Sequence, residues 1–187
     1  MASRFGKFSL LQRIGGGRLS QVYRVTPWWA PADEREGPPV ALKRVQPALI
    51  AEPAFVQLVV REAGLLARLR HASLCECQEL GVIDGCAFLT LDLVDGCTLR
   101  ALMRRLGRLG VTLPASAVTT LGCKLAAVLE YLHLGCDTPL VHLDLSPQNV
   151  MLDRDGDLRL IDFGIARYLD GKNPPPLGGK IAGTVGY

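Results

Sequence analysis

The sequence lacks any continuous apolar run long enough to span a membrane, and its N-terminus lacks the apolar core of a secretion signal. We therefore expect a protein that is made and kept in the cytoplasm, with no membrane segment in this chain. The basic residues are scattered rather than massed, and the net charge is only +3. Composition thus gives no reason to expect a nucleic-acid partner.

The chain also lacks the paired cysteines of a zinc site. Cys75 and Cys77 form one close pair, but no second pair stands at ligand spacing among the remaining cysteines. Without a secretion signal, we expect the six cysteines to be free buried thiols.

Apolar residues, by contrast, are abundant enough for a packed core, since 49% of the chain is hydrophobic and 21% is charged. The front third has the pattern of a small sheet with one helix. Strands are predicted over residues 8–14, 20–25, 40–45, 79–83 and 87–93, and a helix over residues 53–70. Residues 26–39 contain four prolines and are predicted to be a long loop.

The rest of the chain is mainly helical in pattern. Helices are predicted over residues 98–106 and 114–134, a hairpin over 150–152 and 158–161, and a Pro/Gly-rich loop over 168–180. This order predicts an α+β fold in two lobes, comprising residues 1–94 and 95–187.

A glycine-rich segment lies between the first two strands. Residues 15–22 have the form G-x-G-x-x-S-x-V, with Ser20 at the third glycine position. Glycine allows a backbone to approach a phosphate without a Cβ in the way. Because strand-forming residues follow rather than a helix, the segment does not fit a dinucleotide-binding fingerprint.

Lys43 and Glu62 are the next candidates. Lys43 lies near the end of an apolar strand, and Glu62 lies within the apolar face of the predicted helix. A carboxylate in that position is costly unless it is paired, and Lys43 would provide both the partner and a fixed cation for nucleotide phosphates. The alternative, in which both side chains lie at the edge and are solvated, stays open on this pair alone.

A third group of polar residues follows. Asp144 and Asn149 stand five residues apart, and Asp162 follows Asn149 by 13 residues at the start of Asp-Phe-Gly. Oxygens of Asn and Asp are hard ligands of the kind that Mg²⁺ prefers, with nucleotide phosphates completing its shell. Asp144 is then available to orient a hydroxyl group and to take its proton.

In this order and spacing, the glycine loop, strand lysine, helix glutamate, catalytic-loop Asp and Asn, and Asp-Phe-Gly resemble the eukaryotic-like (Hanks-type) Ser/Thr protein kinase domain, in its bacterial form. Residues 183–187 resemble the G-T-x-x-Y that precedes A-P-E. The resemblance implies a two-lobed fold whose small lobe has a five-stranded antiparallel sheet and one helix. The helical large lobe is expected to be incomplete, since the chain stops before A-P-E.

The resemblance also implies ATP and Mg²⁺ as cofactors, a protein hydroxyl as acceptor, and a set of site residues. The implied nucleotide contacts are Ile14, Gly15, Gly17, Val22, Ala41, Lys43, Leu91, Asp92, Val94 and Met151. The implied catalytic residues are Asp144 as base, with Lys43, Glu62, Asn149 and Thr184. The implied metal ligands are Asn149 and Asp162.

Two residues depart from the family pattern. Leu143 stands where the family's H-R-D motif has Arg, and Ser146 stands where Ser/Thr kinases usually carry a Lys that neutralises the transferring phosphoryl group. The alternative to a kinase is therefore a truncated pseudokinase, or a nucleotide-binding interaction module without phosphotransfer. The preference for Ser/Thr over Tyr rests on Gly183-Thr184 and on the lack of a tyrosine-kinase pattern in the catalytic loop.

Overall fold

The computed structural model describes residues 3–17, 19–27 and 37–170. The chain divides into two compact units, which we call the first and the second unit. The first unit comprises Met1–Arg68 and Glu76–Leu93, and the second comprises Leu69–Cys75 and Val94–Tyr187. The short segment Leu69–Cys75 therefore groups with the second unit, although elements of the first unit lie on both sides of it in sequence.

A six-stranded antiparallel sheet forms most of the first unit. Its strands are β1 (Ser3–Phe5), β2 (Phe8–Gly16), β3 (Ser20–Pro27), β4 (Val40–Val45), β5 (Cys77–Ile83) and β6 (Cys86–Asp92). Their order is β1-β2-β3-β4-β6-β5. All five predicted strands are present. The structure adds β1, an edge strand of three residues that is too short to show an alternating pattern in the sequence.

One helix, α1 (Pro53–Leu66), packs against this sheet and buries Val59, Ala63, Leu65 and Leu66. Proline is tolerated at its first turn because the N–H groups there have no partner within the helix. The helix ends before the predicted residue 70, and Leu69 is buried with the second unit. The loop of residues 26–39 begins after Pro27, and its residues 28–36 lie outside the described part of the chain.

Two longer helices occur in the second unit. Helix α2 (Leu99–Leu109) begins where Thr98 Oγ1 accepts a hydrogen bond from Ala101 N at 3.1 Å, and it ends at Gly110 in a left-handed conformation. Helix α3 (Ala115–Glu130) continues as a π-helical turn over Tyr131–Gly135. The predicted helix over 114–134 is thus present, and that over 98–106 extends three residues further.

Short strands complete the second unit. They are β7 (Gly96–Thr98), β8 (Leu140–Val141), β9 (Val150–Asp153), β10 (Leu158–Leu160) and β11 (Arg167–Tyr168). They form a sheet of order β10-β9-β7 and a pair of β11 with β8. The β9–β10 hairpin was predicted. Strands β7, β8 and β11 were not, because two or three residues carry no recognisable pattern.

The segment Ala115–Gly135 has the length and apolar composition of a membrane-crossing helix. It is the only helix in the described part of the chain that is long and apolar enough. One such helix is weak evidence of a membrane segment, because core helices of soluble proteins pass the same test. The expectation that this chain has no membrane segment is therefore only weakly supported. In its most apolar continuous stretch of 18 residues, only 11% of the residues are buried, so most of this segment is uncovered within the chain.

Candidate active site

The glycine-rich turn joins β2 to β3 in the first unit. Gly15 pairs with Val22, and Gly16 pairs with Gln21. Gly16 has a φ of +119°, and a Cβ there would lie 2.5 Å from the Ser20 carbonyl oxygen, so the turn requires glycine at this position. The glycines of the predicted set are less constrained, since a Cβ would meet Val22 at 3.7 Å from Gly15 and nothing within 4 Å from Gly17. Sequence reasoning therefore missed Gly16, the glycine that the backbone demands most.

Lys43 and Glu62 form an ion pair within the first unit. Lys43 Nζ donates to Glu62 Oε1 at 2.8 Å and to Oε2 at 2.7 Å. The side chains are only 11% and 2% exposed, which excludes the solvated alternative. Strand β4 holds Lys43 between Val22 on β3 and Leu89 on β6, and α1 brings Glu62 to it. Each charge is thereby compensated in a buried position where a lone charge would be costly.

The other residues of the first unit that were predicted to contact the nucleotide lie on the same sheet. Ala41 pairs with Leu91 across β4 and β6, while Ile14 is exposed on β2. The Asp92 carboxylate accepts hydrogen bonds from the main-chain N of Glu76 at 2.9 Å and from Gln78 Nε2 at 2.8 Å. Its side chain is thus engaged by neighbouring residues of its own unit.

In the second unit, Asp144 and Asn149 lie in hydrogen-bond contact. Asn149 Nδ2 donates to the Asp144 carbonyl oxygen at 2.9 Å and to Oδ2 at 2.8 Å. The main chain fixes Asn149 as well, since its N donates to the Ser146 carbonyl at 2.9 Å and its carbonyl accepts from Ile161 N at 2.9 Å. The loop therefore sets the position of the Asp144 carboxylate through Asn149.

His142 supports this loop, a role that sequence reasoning did not assign. Its ring is 1% exposed, Nδ1 accepts from Asp144 N at 3.3 Å, and Nε2 lies 3.1 Å from the Ile161 carbonyl. The ring also contacts Phe163 edge-on, with centroids 4.7 Å apart. Burial lowers the pKa of His142, which keeps the ring neutral, with Nε2–H as donor and Nδ1 as acceptor.

Two site residues have left-handed backbone conformations, Leu143 with φ +64° and Asp162 with φ +66°. Such conformations cost energy for residues other than glycine and concentrate at functional sites. Here Leu143 directly precedes Asp144, and Asp162 is the first residue of the Asp-Phe-Gly segment. Gly164 N donates to Asp162 Oδ1 at 3.3 Å, which ties the carboxylate to the turn that follows.

Ser146 is buried, at 4% exposure, and its hydroxyl has no hydrogen-bond partner among the described residues. It is a small neutral group where the resemblance leads one to expect a lysine. It provides no positive charge for a transferring phosphoryl group.

The donor set of the second unit fits a hard divalent cation. Because Asn149 directs its amide nitrogen to Asp144, its amide oxygen faces away from that contact, and Asp162 contributes a carboxylate. Val94 and Met151, also in this unit, are half-buried. Thr184, the remaining catalytic candidate, lies outside the described residues, as do Gly183 and most of the loop over 168–180.

The cysteines are free thiols, as expected, but the expectation that they are buried is wrong for most of them: only Cys75 and Cys86 are buried, and Cys97 and Cys123 are exposed. Burial raises the pKa of the Cys77, Cys86 and Cys136 thiols, which keeps them protonated at neutral pH. Within the described ranges, no group of three His, Cys, Asp or Glu side chains is arranged to hold a metal ion.

The chain is similar to known proteins. The family model described as "Protein kinase domain" matches residues 8–187. The chain is 32% identical over 187 residues to the serine/threonine-protein kinase PknD of Mycobacterium tuberculosis, covering 100% of this chain and 26% of that protein. It is 29% identical over 168 residues to the tyrosine-protein kinase MasK of Myxococcus xanthus, covering 87% of this chain and 26% of that protein.

A solved kinase structure is also similar to this chain. The crystal structure of the Mycobacterium tuberculosis PknI kinase domain matches with a TM-score of 0.64 at 29% identity, covering 87% of this chain and 61% of that one. The chain thus spans about a quarter of the length of PknD and of MasK. The fold is the protein-kinase-like α+β fold, and the family is one that uses ATP and a divalent metal. The chain belongs to the protein kinase domain family.

Proposed function

We propose that this chain forms the ATP-binding and catalytic part of a protein serine/threonine kinase, which transfers the γ-phosphate of ATP to a protein hydroxyl. The observation that carries the proposal is the buried pair of Lys43 with both carboxylate oxygens of Glu62. In protein kinases, the strand lysine and the helix glutamate must be paired for phosphoryl transfer.

Lys43 supplies the fixed cation for the nucleotide. The Glu62 carboxylate holds the ammonium group of Lys43, which lies within the short strand β4, so little conformational entropy is lost when phosphate oxygens bind. Charge-assisted hydrogen bonds from an ammonium to phosphate are stronger than neutral ones. Lys43 therefore orients the α- and β-phosphates rather than taking part in proton transfer.

Asp144 is the catalytic base. Its carboxylate, positioned by Asn149 Nδ2, orients the acceptor hydroxyl and takes its proton. The acceptor oxygen forms a bond to the γ-phosphorus, the bond from that phosphorus to the bridging oxygen breaks, and ADP leaves. Asn149 positions the base through this contact, and His142 acts on the step by holding the loop.

Asn149 and Asp162 would hold Mg²⁺ through their side-chain oxygens. When Mg²⁺ is bound, it would neutralise negative charge on the phosphates. This chain's own contribution is the placement of the two oxygens, Asn149 through its amide contacts and Asp162 through its left-handed backbone and Gly164.

Serine or threonine is the proposed acceptor. PknD and other mycobacterial relatives are named serine/threonine kinases, and Gly183-Thr184 fits that group. MasK is named a tyrosine kinase, so phosphoamino-acid analysis of a phosphorylated protein substrate decides this point. We further propose that the protein acts in the cytoplasm.

Ser146 favours the second candidate, a nucleotide-binding module without phosphotransfer, because it removes a cation from the loop. The two candidate functions can be distinguished with a fusion protein in which residues 1–187 are followed by the C-terminal helices of a related kinase domain. We call it the lobe-completed fusion. We expect it to phosphorylate a general protein substrate, and Asp144→Asn to lower the rate at least 100-fold, the order of a general base's contribution.

Asp155→Asn is the matched control, because Asp155 is an exposed carboxylate in the β9–β10 turn. It should leave the rate unchanged. A fusion that binds ATP but transfers no phosphate, and that gains transfer on Ser146→Lys, would establish the second candidate instead.

A further inference from the structure

Gln46 contacts the glycine-rich turn from the end of β4. Its main-chain N donates to the Leu19 carbonyl at 3.0 Å, which extends the β3–β4 ladder by one residue. Its side-chain Nε2 donates to the Gly17 carbonyl at 2.8 Å. The turn between β2 and β3 is thus attached to β4 by a main-chain bond and a side-chain bond from one residue.

This side-chain bond is the last member of a hydrogen-bond chain. Gln46 Oε1 accepts from Gln21 Nε2 at 3.0 Å. Gln21 Oε1 in turn accepts from Arg44 Nε at 3.1 Å, from Arg44 Nη2 at 3.0 Å and from Tyr23 OH at 3.1 Å. The chain therefore runs from Arg44 through two glutamine amides to the Gly17 carbonyl.

Arg44 sets the direction of this chain. A guanidinium group only donates hydrogen bonds, so the Gln21 oxygen must face it, and the Gln21 NH₂ group must then face Gln46. Gln46 accepts with its oxygen and is left with its NH₂ group directed at Gly17. Arg44 is itself held by the rings of Phe5 and Tyr23, each with its centroid 5.0 Å from the guanidinium carbon.

The hydrogen-bond chain lies on the opposite face of the sheet from Lys43. Side chains alternate between faces along a strand, so Arg44 and Gln46 point away from Lys43. Gln21 pairs with Arg44, and Val22 pairs with Lys43, so β3 shows the same division. The hydrogen-bond chain therefore holds the turn from the face of the sheet opposite Lys43. The face that carries Lys43 is left for the nucleotide.

We propose that Gln46 is a positioning residue for nucleotide binding, which holds the glycine-rich turn in its phosphate-receiving shape through the chain that Arg44 orients. The inference rests on the proposed function for its nucleotide, but not for its effect on the turn. Ordering the turn before ATP binds reduces the entropy that binding must overcome, so Gln46 acts on ATP affinity and not on the transfer step.

The test compares Gln46→Leu and Gln46→Glu in the lobe-completed fusion. Glutamate still accepts from Gln21 but cannot donate to Gly17, so both variants should behave alike. Amide hydrogen exchange in the nucleotide-free turn should quicken roughly fivefold, as expected for one lost hydrogen bond. In the fusion, KM for ATP should rise by a similar factor, while kcat and KM for the protein substrate stay unchanged.

Gln12→Leu, the same substitution at an exposed position on β2, is the control and should change none of these quantities. Unchanged exchange in both Gln46 variants would overturn the proposal while leaving the kinase assignment intact. Faster exchange with an unchanged KM for ATP would show a purely structural bond and would overturn it too. If the wild type binds no ATP, the proposed function fails, whereas the exchange measurement still decides whether Gln46 orders the turn.

Discussion

Lys43 Nζ lies 2.7 Å and 2.8 Å from the two carboxylate oxygens of Glu62, in a chain whose residue before the catalytic Asp144 is Leu143. In many kinases an arginine at that position receives an activation-loop phosphate, which helps to set the lysine–glutamate pair. Leu143 cannot bind a phosphate, and no Ser or Thr occurs from Phe163 to Gly183. The sequence thus has neither the phosphate-binding arginine nor a Ser or Thr in this segment to carry the phosphate; Tyr168 provides its only hydroxyl before Thr184, which the family resemblance assigns a structural role.

The first prediction is that activity does not depend on activation-loop phosphorylation. Treatment of the lobe-completed fusion with a phosphatase should leave its rate of protein phosphorylation unchanged. The rate is measured before and after treatment, with mass spectrometry of residues 163–187 as the check on phosphate. A large loss of activity that follows a phosphate lost from this segment would refute the prediction, and inactivity in both states would point to a decayed kinase.

The second prediction concerns the energetics of the buried pair. Lys43→Met or Glu62→Met alone should destabilise the fusion by about 3–5 kcal/mol, because each leaves a buried charge without its partner. The double variant should lose much less than the sum of the two. Urea unfolding of all four proteins measures this coupling.

A matched surface pair provides the control for that cycle. Lys7 and Glu79 lie 2.9 Å apart with side chains 45% and 36% exposed, so their coupling should be only about 0–1 kcal/mol. Equal coupling in the two cycles would mean that Lys43 and Glu62 are not held as a buried pair.

The sequence was sufficient for features that rest on long patterns. Lys43 and Glu62 lie on a strand and a helix whose apolar periodicity is clear, so their adjacency could be predicted from the order of elements. Strand β7 could not, because its pairing with β9 depends on the close approach of Gly96, where a Cβ would clash with the Leu152 carbonyl oxygen.

The polar contacts of the site were less accessible to sequence reasoning. Gln46 resembles any polar residue at a strand end, and its bond to Gly17 depends on a register that two irregularities in β2 help to set. His142 could have been noticed as a polar residue next to a buried strand, but its ring contacts with Ile161 and Phe163 join residues 19 and 21 positions apart. Such contacts follow from the fold and not from local pattern.

The third prediction is a pH dependence that originates in His142. Burial lowers its pKa below the ordinary value of 6.5 in the folded protein, so the unfolded chain binds the proton first as pH falls. The stability that neutral His142 contributes is therefore fully present above about pH 6.5 and is lost as pH falls toward the folded pKa. Urea unfolding of the fusion between pH 7.5 and about 5 measures it.

His142→Gln keeps a donor for the Ile161 carbonyl but cannot titrate. It should reduce the decline, which for one proton is at most about 1.4 kcal/mol per pH unit. His133→Gln, the same substitution in the π-helical turn, should retain it. An undiminished decline in His142→Gln would assign the effect to other groups.

The fourth prediction concerns the uncovered helix. Only 11% of the residues in the most apolar 18-residue stretch of Ala115–Gly135 are buried, so this segment leaves apolar surface exposed in the 187-residue chain. Expressed alone, this chain should be aggregation-prone or partly molten and show little kinase activity, while the lobe-completed fusion should be monomeric. Light scattering and a thermal melt measure this, and a monomeric, cooperatively melting 187-residue chain with normal phosphotransfer would contradict it.

The central claim is that Lys43, Asn149 and Asp162 bind ATP together with Mg²⁺, and titration of a fluorescent ATP analogue tests it most directly. Wild type and Asp162→Ala are compared in the lobe-completed fusion, each with and without Mg²⁺, and Asp155→Asn serves as the carboxylate control. We expect Mg²⁺ to strengthen binding to the wild type and to Asp155→Asn, and to have little effect on Asp162→Ala, because that variant lacks a proposed Mg²⁺ ligand. Equal affinity in all proteins, with and without Mg²⁺, would contradict the account.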